Sequence, residues 1–224
     1  MAEISKSSLS NDKSVESRTG AALDSTRPLV FVLDDDLGVR EALSSLLASA
    51  GLRVEAFSNA ADFLRAGFMG PPACLILDLQ LPDISGLDIQ QQLAEADGPP
   101  VIFISGHGDI PTSVRAMKAG AIEFLPKPFS DSELFSAIDS AISKGRERQR
   151  NKAEIAELRK SFARLSARER EVFQLVVAGR SNKSAAAALG IAEITLQVHR
   201  AQVMRKMAAS SLPDLVRMAG KLVS

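Results

Sequence analysis

The sequence predicts an α/β doubly wound five-stranded parallel sheet, joined by a long helical linker to an all-α domain. Three observations predict it. From Leu29 to about Ile142, short apolar runs alternate with helical repeats, the signature of βα units. Three of those apolar runs end directly on a charged or hydroxyl-bearing residue, and a fourth ends in Pro126-Lys127-Pro128. Past Ser143 the strand patterns stop and only helical spacing remains. The expected divisions are a flexible extension over 1–27, the sheet domain over 28–143, a helical linker over 144–160 and the helical domain over 161–224.

Residues 1–27 are rich in Ser, Lys, Asp and Glu without apolar period, so no structure is assigned to them. Leu29 to Leu33 reads as a buried strand running into Asp34, Asp35 and Asp36. Val39, Leu43, Leu46, Leu47 and Ala50 then recur at helical spacing, and Gly51 ends that helix. Val54 to Phe57 is a short strand; Ser58 or Asn59 caps a helix that buries Phe63 and Leu64. Leu75 to Leu77 is the next strand, ending in Asp78, followed by a helix from about Gly86 to Ala96 that Gly98, Pro99 and Pro100 close. Val101 to Ile104 ends in Ser105, and a helix passes through Pro111, Val114, Met117 and Ala119. Ile122 to Leu125 ends in Pro126, Lys127 and Pro128, and a last helix starts near Ser130 with Leu134, Ile138 and Ile142 inward.

In open parallel sheets, ligands bind beyond the carboxyl ends of the strands. Asp34, Asp35, Asp78, Ser105 and Lys127 all stand there. Carboxylates gathered at one edge repel unless a hard cation holds them, and Mg²⁺ takes oxygen ligands of this kind. A mere strand-end turn at Asp34 and Asp35 leaves Asp78 and Lys127 at the same edge unexplained.

After Ile142 the helix continues. Lys144 to Lys152 is strongly basic, and Ile155, Leu158, Phe162 and Leu165 recur at threes and fours. That stripe fits a solvated linker helix or a dimer-facing spacer. Ser166 with Glu169 is a capping box opening a helix with Val172, Leu175 and Val176 inward, stopped at Gly179. Asn182 to Leu189 is a small Ala-dense helix ending at Gly190. Glu193 to Met207 carries Leu196, Val203 and Met207 on one face and Gln197, Arg200, Arg205 and Lys206 on the other. A fourth helix runs from about Pro213 to Leu222. Two helices joined by a tight Gly-containing turn, the second with a basic face, have helix-turn-helix geometry.

Charge supports this division. Residues 1–160 carry 17 Lys and Arg against 23 Asp and Glu, and residues 161–224 carry 10 against 4, leaving −6 and +6. A basic tail on an acidic body suits a polyanion partner. The single Cys74 excludes a disulfide framework and reads as a core residue. No apolar run approaches the ~20 residues of a membrane span, and no signal peptide is evident. A soluble, cytoplasmic protein without a membrane partner is expected.

Several motifs now stand in order: Leu33-Asp34-Asp35, Asp78 with Pro82 and Gly86, Ser105-Gly106, and Lys127-Pro128-Phe129. Together they resemble a response-regulator receiver domain. Arg168-Glu169-Arg170-Glu171-Val172, Gly179 with Asn182-Lys183, and Thr195 to Met207 resemble the LuxR-type helix-turn-helix of the NarL/FixJ class. Gly106-His107-Gly108-Asp109 and Met117-Lys118-Ala119-Gly120-Ala121 are most similar to the FixJ, TodT and StyR subgroup. Any one motif is weak, but the ordered set spans nearly all the chain beyond the N-terminal extension.

The resemblance implies a two-component response regulator in which Asp78 takes a phosphoryl group from a sensor histidine kinase or a small acyl phosphate. It implies Mg²⁺ on Asp35 and Asp78, with Asp34 supporting directly or through water and the Gln80 carbonyl as a further ligand. Lys127 pairs with the phosphoryl oxygens. Ser105 donates to them, and its inward shift makes room for Phe124, a residue that plain core packing also explains. Asp36 reads as a flanking surface residue, because Arg40 fixes the register at Asp34 and Asp35. His107 is read as shaping its loop or touching the kinase. A cis Lys127–Pro128 bond is implied, otherwise about a 5% event.

Phosphorylation is expected to drive homodimerisation and binding to symmetric half-sites of double-stranded DNA, controlling transcription, with RNA polymerase as a further partner. Gln197, Val198 and Arg200 would meet bases, Lys183, Thr195, Arg205 and the amides at the helix start would meet phosphates, and His199 a phosphate or the core.

Departures from the family pattern concentrate in the tail. Gln197 stands where Lys is common, Ala192 where a capping Ser is common, and the basic residue often found at position 201 is Ala201. The run Ser184 to Ala188 is unusually Ala-rich. The electrostatic share of DNA binding is therefore expected to be below the class average. A Mg²⁺-dependent phosphatase working through an aspartyl-phosphate is the alternative enzyme, but it would carry a second Asp where Gln80 stands. DNA binding independent of phosphorylation is the other alternative, and the full set of acids, hydroxyl and Lys argues against it.

Overall fold

The computed structural model describes residues 27–67, 73–106 and 110–223. The N-terminal extension up to residue 26, and the loop residues His107, Gly108 and Asp109, lie outside the described residues. Two compact units divide the chain, Met1–Glu147 and Arg148–Ser224.

In the first unit the elements are β1 (Leu29–Leu33), α1 (Leu37–Ser49), β2 (Arg53–Phe57), α2 (Ala60–Ala66), β3 (Ala73–Asp78), α3 (Gly86–Glu95), β4 (Val101–Ser105), α4 (Ile110–Lys118) and β5 (Glu123–Pro126), followed by α5 (Asp131–Ala163). The five strands are all parallel, in the order β2-β1-β3-β4-β5. The order reverses at β1 and β3, and ligand crevices open at such a switch point.

Alternating side chains of the strands feed two layers. Phe31, Leu33, Leu75, Leu77 and Phe103 pack with Phe63 of α2 and Ile89 and Leu93 of α3. Val30, Val32, Ile76, Ile102 and Ile104 pack on the other face with Leu43 and Leu47 of α1 and Leu134 and Ile138 of α5. Each fully buried Leu, Ile or Phe contributes about 1.5–3 kcal/mol. Cys74 sits in this core, where burial pushes its thiol up to about 12. Gly51, at φ +78, ends α1 where a side chain would be strained.

Three local details follow. Asp36 is exposed, as a flanking surface residue should be, and it is also the N-cap of α1, accepting from Val39 N at 3.1 Å. In α4, Ala116 is buried, while Ile110, Val114 and Met117 are exposed. Of the two candidate caps for α2, Asn59 does the work, accepting from Asp62 N at 2.9 Å.

The continuous helix α5 serves both units. Its first part carries Leu134, Ala137, Ile138, Ala141 and Ile142 into the sheet core. Near its end Leu158 and Phe162 join the core of the second unit. The stripe at 155–165 is thus largely taken up by the tail's own packing, an outcome neither reading of it anticipated. The second unit continues with α6 (Ala167–Val177), α7 (Asn182–Leu189), α8 (Glu193–Met207) and α9 (Leu212–Val223). Val172, Phe173, Val176, Leu196, Val203, Met207 and Leu215 form its centre, with Phe162 and Phe173 edge to face at 5.2 Å. The capping box of Ser166 and Glu169 is formed.

Candidate functional site

Four strand ends converge on one crevice. β1 is buried along its whole length, so Asp34 arrives fully buried and must be paired. Its Oδ2 accepts from Lys127 Nζ at 2.9 Å and its Oδ1 from Asp36 N at 2.8 Å; the Arg40 guanidinium donates to its carbonyl at 2.8 Å. Asp78 ends β3 with its side chain 13% exposed, accepting from Gln80 N at 3.3 Å and from Lys127 Nζ at 3.4 Å. Ser105 ends β4, nearly inaccessible, and its carbonyl accepts from Lys127 N at 2.8 Å. The Lys127–Pro128 bond is cis.

Burial raises the pKa of Asp78; Lys127 opposes that rise and the charge of Asp34 adds to it. Burial alone would lower the pKa of Lys127, yet the hydrogen bond and charge of Asp34, with those of Asp78, leave it raised. An ion pair should pull its acid down, and Asp78 is not pulled down. Burial outweighs the pull of Lys127, which lies 3.4 Å from Asp78 and 2.9 Å from Asp34, and the charge of Asp34 adds to the rise. Carboxylate oxygens of Asp34, Asp35 and Asp78 lie within 4.8 Å of one another, with Asp35 exposed. Three carboxylates against one ammonium leave an oxygen-only site two charges negative, which suits a hard divalent cation.

Gly86 closes the floor of the crevice. A Cβ there would stand 2.8 Å from the Asp78 carbonyl oxygen and 3.0 Å from the Phe103 ring. Phe103 in turn packs on the half-buried Phe124 at 6.2 Å between centroids. Gln80 is exposed and bridges to Ser85, the N-cap of α3.

In the second unit, Gln197, Val198 and Thr195 are exposed on the first turns of α8, and Lys183 on the first turn of α7. Ala192 precedes α8 without any side-chain cap bond. Arg200 is half-buried and donates to Asn182 Oδ1 at 2.8 Å, and Arg205 donates to Gln202 Oε1 at 2.6 Å. His199 is half-buried. Lys206, read from sequence as part of the polar face, instead reaches Glu169 Oε2 at 2.6 Å and ties α8 to α6. Arg168 donates to the Leu189 carbonyl at 2.6 Å, closing the end of α7.

Residues 30–139 match the family described as "Response regulator receiver domain" and residues 163–219 the one described as "Bacterial regulatory proteins, luxR family". Nodulation protein W of Bradyrhizobium diazoefficiens is 47% identical over 199 residues, covering 88% of each chain. The chain belongs to the LuxR-type two-component response regulators. Response regulator protein TodT of Pseudomonas putida is likewise 47% identical over 195 residues, covering 87% of this regulator and 86% of that relative. The solved structure of the response regulator StyR superposes with a TM-score of 0.73 at 47% identity, covering 88% of this chain and all of that one. This response regulator therefore combines a receiver with a LuxR-type DNA-binding domain, and its relatives control transcription. No helix among its described residues is long and apolar enough to cross a membrane.

Sequence reading did not find Gln90 of α3 or the cap at Asp36. It also missed the Ser130–Glu133 pair at the start of α5, where Ser130 N donates to Glu133 Oε2 at 2.8 Å and Glu133 N to Ser130 Oγ at 3.3 Å. That last signal was present, since Ser130 and Glu133 have the spacing of a capping box.

Proposed function

We propose that Asp78 is the phosphoacceptor and that its acyl phosphate switches homodimerisation and sequence-specific DNA binding by the tail. The observation that carries this is the ammonium of Lys127, set between Asp34 and Asp78 beside the buried Ser105. The Asp78 carboxylate attacks the phosphorus of a phosphohistidine on a sensor kinase. A P–O bond forms, the P–N bond breaks, and the imidazole leaves with its electron pair and takes a proton. Asp34, Asp35 and Asp78, with the Gln80 carbonyl, would hold Mg²⁺, which when bound offsets charge on the transferring oxygens. Asp34 keeps the Lys127 ammonium at the site, so its charge need not be recruited when the phosphoryl group arrives. Ser105 Oγ donates to a phosphoryl oxygen, and Phe124 takes up the space Ser105 leaves.

A second copy is the partner expected after phosphorylation, and two apolar surfaces support it: Ile110, Val114 and Met117 on α4, and Val216 and Val223 on α9. Gln197, Val198 and Arg200 read bases, while Lys183, Thr195, His199 and Arg205 approach the backbone of duplex DNA. Arg200 must share its guanidinium with Asn182 to do so. RNA polymerase is the further partner, and the cytoplasm the place of action.

The test is Asp78→Asn in the full chain. Wild type takes label from acetyl phosphate with Mg²⁺, dimerises and binds its DNA site more tightly; the variant does none of these. Label persisting at another residue, or equal DNA affinity with and without donor in wild type, overturns the proposal.

A further inference from the structure

Gln90 of α3 is buried, 3% exposed, yet only half satisfied. Its Nε2 donates to the Ala116 carbonyl of α4 at 3.2 Å, and its Oε1 meets no hydrogen-bond donor among the described residues. Leu or Met would fill the same space without stranding an acceptor, so the amide needs a reason beyond packing.

Its placement supplies one. Gln90 stands one helical turn after Gly86. Gly86 is pressed beneath the Asp78 carbonyl, and its N–H donates to Leu79 O at 3.0 Å, so the first turn of α3 is fixed to the end of the Asp78 strand. The next turn, through Gln90, reaches α4, which starts five residues after Ser105. α4 is lightly held. Ala116 is its one buried residue, and Ile110, Val114 and Met117 face solvent at 80%, 43% and 42% exposure. The Ala116 carbonyl receives two donors, Gln90 Nε2 and Ala121 N at 3.1 Å. The C-terminal end of α4 is therefore clipped to both α3 and the chain entering β5, while no fully buried side chain holds its N-terminal end.

We infer that Gln90 is the pivot of α4, a positioning residue that holds the helix's C-terminal end to α3 while the N-terminal end follows Ser105 on phosphorylation. A single amide bond to a carbonyl survives rotation of α4 about that oxygen. This inference rests on the reading of Asp78 and Ser105 given above.

Hydrogen exchange on the full chain, with and without beryllium fluoride and Mg²⁺, tests it. In wild type the fluoride alters exchange in residues 110–114 and leaves the amides of Ala119, Gly120 and Ala121 unchanged. In Gln90→Met those three amides exchange at least fivefold faster before any addition, the fluoride now alters both ends of α4, and the urea midpoint is equal to or above wild type. Gln90→Leu repeats the removal with a different shape. Unchanged exchange at residues 119–121 in both variants overturns the pivot. So does a uniform loss of protection across the receiver with a lowered midpoint, which marks an ordinary structural residue. No response of α4 to the fluoride in wild type defeats the Ser105 reading; with faster exchange at 119–121 in the variants, it reduces Gln90 to a static clip.

Discussion

Gly86→Ala probes the coupling between packing and chemistry most directly. An added Cβ meets the Asp78 carbonyl oxygen at 2.8 Å, the Phe103 ring at 3.0 Å and Leu79 Cα at 3.1 Å, where ordinary contacts begin at 3.4 Å. Two of the three neighbours are backbone, and the third is a fully buried ring. No flexible tip can give way, so α3 and the end of β3 must separate by about 0.6 Å, the shortfall at the tightest contact. Overpacking of this kind costs about 1–3 kcal/mol, and the helix preference of Ala over Gly returns little at the first helical position. A displacement of 1 Å at a reacting centre can cost ~100-fold in rate, so about tenfold slower labelling of Asp78 by acetyl phosphate is expected. Urea unfolding followed by circular dichroism gives the stability change, since a chain with 0 Trp and 0 Tyr offers no useful fluorescence. Gly145→Ala is the control. Its Cβ would find nothing nearer than 3.5 Å inside α5, and it should stabilise by up to about 1 kcal/mol with labelling unchanged. A Gly86→Ala protein with wild-type midpoint and labelling within twofold of wild type would refute the reasoning.

Three further outcomes are expected. Mg²⁺ at 100 times its dissociation constant should raise wild-type stability by about 2.7 kcal/mol, and Asp35→Asn should lose most of that gain while being no less stable without metal, as read from thermal midpoints. Glu169→Gln should weaken the tail by about 2 kcal/mol at pH 7, because it removes the charge that accepts from Lys206 and Ser166 N. The Lys206 hydrogen bond, then that from Ser166, holds Glu169 below the ordinary 4.5, so this difference is complete above pH 4.5 and closes as pH falls through the lowered value; a gap that stays constant down to pH 2 counts against the pair. Gln197→Ala should cost about 1–3 kcal/mol in specific DNA binding, and an unchanged footprint and affinity would remove it from the reading face.

The receiver crevice was legible because its signal is local. A charge directly after a buried strand has no ordinary explanation, and a parallel sheet brings all such ends to one edge. Phe173 was missed because a helix period names a face without fixing its width. α4 shows the complementary limit: spacing reveals that Val114 and Met117 share a side but not what covers it, and nothing described does.

The tail's charge was legible as a total and not as a distribution. Its +6 suggests a broad basic surface, yet Lys206 is committed to Glu169, Arg168 to Glu171, Arg217 to Asp214 and Lys221 to Glu154. These partners lie three to 67 residues away in sequence, and the distant ones cannot be found from spacing. Lys206 joins α8 to α6 and Lys221 joins α9 to α5, while Arg168–Glu171 and Arg217–Asp214 pair within one helix and Arg168 also closes α7. The same cations therefore cannot all be counted toward phosphates. On α7 and α8 the cations left over are Lys183, Arg200 and Arg205, and the last two already donate to Asn182 and Gln202. With Gln197 uncharged, fewer counterions are released on binding. On the proposed reading, a larger share of the binding then falls to the exposed amide of Gln197 and the exposed methyls of Val198, groups able to distinguish bases that add nothing to nonspecific attraction.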